Sequence, residues 1–357
     1  MTAWPSYLSP GEVVTPGVGD ANVLLGAPLG TLLLNQQIPN TRYGTPQQQP
    51  YDLPFHVQLV DIYEPNGPID LAMLMLHGGA GYKAQYAAAL GILIGVPSVD
   101  NVRWHILEHV NAAAWFAQGS HCTKANAGPW NPNGVDTVSA QYPNGVAGWS
   151  SHAYWSGADD PQFAKDVATA MRSRYGSVFR VCCGHSEGGM MTQRIWAEQS
   201  IGGFNCFCVS SGPANHWYLS NPTLPQIPMP FRAQFGLQDD NIGIAGGHFL
   251  DQTWVGSKNP TVSQAEFPVI SISDFYRLQT RVDAYNTFYG RPAETVNWND
   301  GVTVAAKIGT KTTWTYCGGA MQLVLYSDAQ HSTKSHQACA GHGMFTDFAI
   351  FALQNIR

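Results

Sequence analysis

The chain predicts an α/β fold, a mostly parallel central sheet with helices on both faces and long loop insertions. Three observations carry that prediction. Short continuous apolar runs, at residues 72–76, 112–116 and 204–209, have the length and the lack of alternation of strands buried on both faces. Segments with helical spacing separate these runs, which is the order a parallel sheet with crossover helices requires. The Gly-rich motifs fall where strand runs end, and an open parallel sheet gathers its ligands beyond the carboxyl ends of its strands.

In order along the chain, residues 1–50 are rich in Pro, Gly and Gln around an apolar island, Val23-Leu24-Leu25 and Leu32-Leu33-Leu34. They read as an extension packed on the main domain, which spans residues 51–357. Residues 55–63 alternate as a strand and end at the turn Glu64-Pro65-Asn66-Gly67-Pro68. The buried run Ala72-Met73-Leu74-Met75-Leu76 leads straight into His77-Gly78-Gly79-Ala80-Gly81, and residues 82–93 follow as an alanine-rich helix. After the strand at 112–116, residues 118–155 form a long Asn-, Gly-, Ser- and Trp-rich stretch placed where a substrate-binding wall would stand. Asp159-Asp160-Pro161 opens the best-marked helix, with apolar positions Phe163, Ala164, Val167, Ala168 and Met171 and a stop near Tyr175-Gly176. Strands are also expected at 178–183, 229–236 and 322–326, and a last helix at 344–355.

Composition narrows the class. Charged residues are 12% and aromatics 11% of 357 residues, so most of the chain should be ordered and aromatic-packed rather than disordered. A net charge of -6 and the lack of any Lys/Arg run argue against nucleic-acid and anionic-membrane partners; a small neutral or polymeric substrate fits better. The seven cysteines make no C-x-x-C pair. Cys206 and Cys208 are expected to point to opposite faces of their strand. Cys182, Cys183, Cys206 and Cys208 lie in apolar runs as small hydrophobes, while Cys317 and Cys339 flank one strand and could be bridged. The first residues, Met-Thr-Ala-Trp-Pro-Ser-Tyr, lack a signal-peptide layout, and the longest uncharged apolar run, 87–96, is too short to span a bilayer. A soluble protein is expected, with a composition compatible with export and its compartment and oligomeric state open.

Residues 178–196 carry the chemistry. β-formers run to Gly184-His185-Ser186-Glu187-Gly188-Gly189 and helix formers resume after it, so a G-x-S-x-G stands at a strand-to-helix turn. Such a turn lifts a serine Oγ clear of the sheet while the glycines remove clashing side chains, making Ser186 a candidate nucleophile. The amide of Glu187, at the helix start, and one from Gly79 or Ala80 are candidate oxyanion donors. Glu187 itself reads as a helix-start carboxylate favoured by the dipole, or as a selector of substrate charge. A serine nucleophile needs a base and an acid, in the chain order Ser, Asp/Glu, His. Asp239, just past the strand ending Phe235-Gly236, is the candidate acid and Asp240 the alternative. His331, following Gln322-Leu323-Val324-Leu325-Tyr326, is the candidate base ahead of His336 and His342. His331, His336, Cys339 and His342 match no zinc-finger spacing and no H-E-x-x-H occurs, so no metal is expected. His77, Trp130, Trp155 and Trp217 are candidate substrate-binding residues, with Trp149 and Trp254 in similar loops; packing filler is an equal reading of each tryptophan.

With these residues placed, the chain resembles α/β-hydrolase esterases of the polyhydroxybutyrate depolymerase and feruloyl-esterase type. The resemblance runs through Leu76-His77-Gly78-Gly79-Ala80-Gly81, Arg174-Tyr175-Gly176, Gly184 to Met191, Phe235-Gly236-Leu237-Gln238-Asp239 and Cys317-Gly318-Gly319 to His331, and covers roughly residues 55–355. Phe235 stands in place of the usual histidine, Gln330 in place of the glycine before His331, and the Trp-Pro that often follows that histidine is absent. The resemblance implies cofactor-free hydrolysis of carboxylic esters, including hydroxyalkanoate oligomers or polymers and aryl esters. Two other readings remain open from sequence: a catalytically idle binding module on the same fold, and a peptidase or thioesterase using the same triad.

Overall fold

The computed structural model describes residues 30–38, 59–65, 69, 71–78, 112–117, 121–122, 146–147, 160–198, 203–212, 224–239, 278–340 and 344–356. Strands β1 (Gly30–Gln37), β2 (Leu59–Pro65), β3 (Leu71–Leu76) and β4 (Ala112–Ala117) open the chain, and β5 (His121–Cys122) pairs only with β6 (Val146–Ala147). Then come α1 (Asp160–Tyr175), β7 (Phe179–His185), α2 (Glu187–Glu198), β8 (Cys206–Ser210) and β9 (Phe231–Gly236). The chain closes with α3 (Leu278–Phe288), β10 (Val302–Ala305), β11 (Thr310–Tyr316), β12 (Met321–Tyr326), α4 (Thr333–Ala340) and α5 (Met344–Gln354).

Ten of the strands form one sheet in the order β1-β2-β4-β3-β7-β8-β9-β12-β11-β10. The six from β4 to β12 run parallel, while β1, β2, β11 and β10 add antiparallel edges. With the β5–β6 pair set aside and the other ten strands counted in chain order, the sheet reads 1-2-4-3-5-6-7-10-9-8. The turn carrying Ser186 leaves the fifth of them, β7. That is the α/β-hydrolase fold.

The strand period of two divides the core. Ala72, Leu74, Leu76, Ala113, Trp115 and Cys182 face α1, α2 and α3, whereas Leu71, Met73, Met75, Phe116, Val181 and Cys183 face α5 through Met344, Phe348, Phe351 and Ala352. Central strands β3, β4, β8 and β9 are buried at every position, which explains why their sequences do not alternate. The helix α1 shows the expected stripe, with Phe163, Ala164, Val167, Ala168 and Met171 all buried. It ends where Gly176, at φ 73, returns its amide to the Arg172 carbonyl, 2.8 Å away. Arg174 in its last turn pairs with Glu64 at the end of β2, and this hydrogen bond holds the Glu64 carboxyl below its ordinary range.

Several details differ from expectation. Cys206 and Cys208 lie on the same face with sulfurs 4.0 Å apart, because side chains two residues apart in a strand return to one side. Cys317 and Cys339 are both free thiols: Cys317 packs in the main core before β12, and Cys339 in a small separate cluster on α4. The apolar island at residues 32–34 belongs to β1, an edge strand of the main sheet. Helix α3 and the β10–β11 hairpin stand outside the elements the sequence pattern predicts; β10 is exposed along its whole length. The helix expected at 82–93 and the loop at 118–155 lie outside the described residues, apart from β5 and β6. Among the described residues no helix is long and apolar enough to cross a membrane.

Burial along α1 sets a stability test. Phe163→Ala, which opens a cavity between α1 and the sheet, should cost about 3–5 kcal/mol in urea unfolding. Thr169→Ala on the exposed side of the same helix should stay within about 0.5 kcal/mol.

Candidate active site

The turn after β7 is built from close backbone contacts. A Cβ on Gly188 would lie 2.2 Å from the Leu76 carbonyl oxygen and 2.4 Å from that of His77. One on Gly184 would lie 2.2 Å from the Gly188 carbonyl oxygen. These are the two positions where the spacing G-x-S-x-G is sterically required. Between them Ser186 adopts φ 55, a left-handed backbone that costs a residue with a Cβ about 1–2 kcal/mol. Two hydrogen bonds offset it: the Ser186 amide donates to the Ser210 carbonyl (2.8 Å), and its carbonyl accepts from the Met190 amide (3.0 Å) in the first turn of α2.

Asp239 reaches the same place from β9. Its strand runs parallel to β12, and a Cβ on Gly236 would stand 2.1 Å from the Ala329 carbonyl oxygen, so glycine lets the two strand ends close on each other. The Leu237 amide donates to the Tyr326 carbonyl (2.9 Å) and the Gln238 amide to that of Ala329 (3.0 Å). The acid-bearing and base-bearing segments are therefore a single bonded unit. Beyond it, Ser332 lies ahead of the first turn of α4, accepting from the Ser335 amide, while Ser335 Oγ accepts from the Gln330 amide (2.7 Å). His331 is held between these bonds.

The three side chains meet. His331 Nε2 lies 2.9 Å from Ser186 Oγ, and His331 Nδ1 lies 2.8 Å from Asp239 Oδ2. The Asp239 carboxyl is buried, Ser186 is half-buried, and the His331 side chain keeps 14% of its surface exposed. An ionised carboxylate only accepts, so Nδ1 carries the proton and donates to Asp239, leaving Nε2 to accept from the serine hydroxyl. This arrangement can deprotonate Ser186 and stabilise the imidazolium that results. Glu187 begins α2, so its amide belongs to the unpaired N-terminal set of that helix.

The remaining expected residues divide between buried and undescribed. His77 is fully buried at the end of β3, its Nδ1 2.7 Å from the Gly78 carbonyl oxygen. Gly79, Ala80, Trp130, Trp149, Trp155, Trp217, Asp240, Trp254 and His342 lie outside the described residues, as does the side chain of Glu187. Phe235 and Gln330, the two departures from the family pattern, sit respectively in the buried core of β9 and at an exposed turn. Among the described residues no group of three His, Cys, Asp or Glu side chains forms a metal-binding cluster.

Other residues surround the site without a sequence signal. His185 is buried against His331, ring centroids 5.0 Å apart, and His336 lies 6.4 Å from His185. Burial, and secondarily the neighbouring imidazoles, hold His185 well below the usual histidine range. Burial likewise pushes His336 down to about 4. On the other side, Gln193 of α2 donates to the Gly212 carbonyl and accepts from Arg281 of α3 (2.7 Å). The Arg281 guanidinium lies 4.2 Å from the Trp196 ring centroid and 3.9 Å from that of Phe231.

The fold and the hydrogen-bonded Ser-His-Asp set define an α/β-hydrolase-fold protein with a nucleophile-elbow site. No family model matches the chain, and no curated protein matches it. Among solved structures it is similar to the poly(3-hydroxybutyrate) depolymerase LpqC from Bordetella parapertussis, at 14% identity, covering 85% of this chain and 91% of that one with a TM-score of 0.40. It is similar to acyl-protein thioesterase 2 of Zea mays at 9% identity, covering 82% and 98%, TM-score 0.37. A cold-adapted esterase from an Arctic intertidal metagenomic library shows 15% identity over 55% and 74%, TM-score 0.31. Fold and site rest on the strand order and the side-chain geometry, not on these likenesses.

Two measurements test this geometry. Gly188→Ala drives a methyl group into the Leu76 carbonyl, so the variant should lose all reaction of Ser186 with diisopropyl fluorophosphate. His336 is neutral in the fold but protonates near pH 6.5 when unfolded. Above pH 6.5 it adds no pH dependence; as pH falls from 6.5 toward 4 the unfolded chain gains a proton the folded chain refuses, and stability drops by up to about 3 kcal/mol. Urea midpoints taken across that window should fall in the wild type and fall less in His336→Gln.

Proposed function

We propose that the chain is a serine carboxylic-ester hydrolase, an esterase or polyester depolymerase acting through Ser186, His331 and Asp239. The observation that carries this reading is the unbroken hydrogen-bonded line from Asp239 through His331 to Ser186, on the fold and at the turn where such a line does acyl transfer. His331 Nε2 takes the hydroxyl proton as Ser186 Oγ bonds to the ester carbonyl carbon. The Asp239 carboxylate keeps the imidazole in its useful tautomer and stabilises its charged form. The oxyanion is received by the Glu187 amide and by one amide from Gly79 or Ala80. Collapse breaks the bond to the alcohol, which leaves with the proton from His331, and Ser186 holds the acyl group. Water, deprotonated by His331, attacks that acyl-enzyme; the bond from the acyl carbon to Ser186 Oγ breaks, His331 returns the proton to Ser186, and the acid is released.

The sequence resemblance supports hydroxyalkanoate oligomers or polymers and aryl esters as substrates, with no cofactor. Trp130, Trp155 and Trp217 are the proposed aromatic wall. No nucleic acid or membrane enters the reaction.

Ser186→Ala should lower turnover of p-nitrophenyl acetate by about 10³-fold or more while the fold is kept, as judged by circular dichroism. Undiminished turnover in that variant would sink the proposal. A panel of short p-nitrophenyl esters, methyl ferulate, hydroxybutyrate oligomers and a peptide anilide should show turnover of the esters and none of the anilide.

A further inference from the structure

Ser211 carries a strain that the elbow does not explain. It is a fully buried non-glycine residue at φ 47, one position beyond the end of β8. Such a backbone persists only where its surroundings over-determine it. Its two neighbours clasp the nucleophile: the Ser210 carbonyl accepts the Ser186 amide, and Gly212 packs so tightly on the Ser186 carbonyl that a Cβ there would stand 2.4 Å from its oxygen. Its own amide donates to Gln234 on β9 (3.0 Å). Its hydroxyl lies 3.0 Å from Nε2 of His336.

His336 belongs to α4, five residues beyond His331. It is 1% exposed, with the Tyr326 ring edge-on at 6.0 Å, and its Nδ1 has no hydrogen-bond partner among the described residues. A buried imidazole with one nitrogen unpaired is costly, so the bond to Ser211 is its single polar anchor. That bond ties the segment carrying the base to the tripeptide that grips the nucleophile's backbone.

We propose that the Ser211–His336 pair is a positioning clamp that sets the reach of His331 to Ser186. The inference rests on the serine-hydrolase reading above. Neither residue touches the reacting atoms; the clamp acts through the placement of α4, which begins two residues after His331. Asp239 meets His331 from the β9 side, at Nδ1. The clamp joins the His331 segment to residues 210–212, which contact the backbone of Ser186 on both sides.

The test measures the rate of fluorophosphonate labelling of Ser186, and kcat and KM for p-nitrophenyl acetate, in wild type, Ser211→Ala, His336→Phe, the double variant and His336→Gln. Each is checked for folding by thermal melting. Ser211→Ala and His336→Phe should each slow labelling and lower kcat about tenfold, with KM within about twofold, since a lost positioning bond is felt in the transition state. The double variant should be no slower than either single one. His336→Gln, whose amide nitrogen can meet Ser211, should recover most of the rate. Lowered melting temperatures with labelling and kcat at wild-type values would show a packing role and overturn the clamp. If His336→Phe does not fold, Ser211→Ala decides alone by the same criterion. A wild type that takes no label overturns the hydrolase reading and the clamp with it.

Discussion

The structure depends on one steric constraint, the descent of α2 onto the carboxyl ends of β3 and β7. Gly188 rests on the carbonyls of Leu76 and His77, and Gly184 rests on the carbonyl of Gly188, at distances no side chain permits. The left-handed Ser186 is the consequence of turning the chain within that space. Because the helix begins at the centre of a sheet buried on both faces, its unpaired amides point at a place that the ends of β3, β8, β9 and β12 all approach. The chemistry inherits its address from backbone packing.

Much of this was legible from sequence because the constraint acts on residue type. Glycines at fixed spacing record the close approach. Unalternating apolar runs record strands covered on both faces, and chain order places the acid before the base. The choice of Asp239 was legible too, through Gly236: a glycine at the end of β9 marks the closure onto Ala329 that carries the next carboxylate to His331. Less was legible where chemistry leaves no trace in composition. The β10–β11 hairpin is largely exposed and built of Thr, Val and Lys, so it lacks the apolar run that betrays the central strands. Helix α3 buries an arginine between two aromatic rings, which reads in sequence as a polar face. Ser211 is left-handed without being Gly, Asn or Asp, and no residue type announces that.

The departures from the family pattern fall on positions with little leverage. Phe235 is inside β9 and fills the core, and Gln330 uses only its backbone amide in the turn that presents His331. The networks from Arg281 through Gln193 to Gly212, and from His336 to Ser211, converge from opposite sides on the same three residues behind the nucleophile.

The pairing of β8 with β9 takes on a different meaning in this light. On one side of it stand β3, β7 and the elbow; on the other, β9 and β12 carry the acid and base as a unit sealed by the Gly236–Ala329 contact. The hydrogen-bonded line is thus assembled across a seam, with Ser186 on one bank and His331 and Asp239 on the other. A shift in the spacing of β8 and β9 would therefore be felt as a change in the distance from His331 to Ser186.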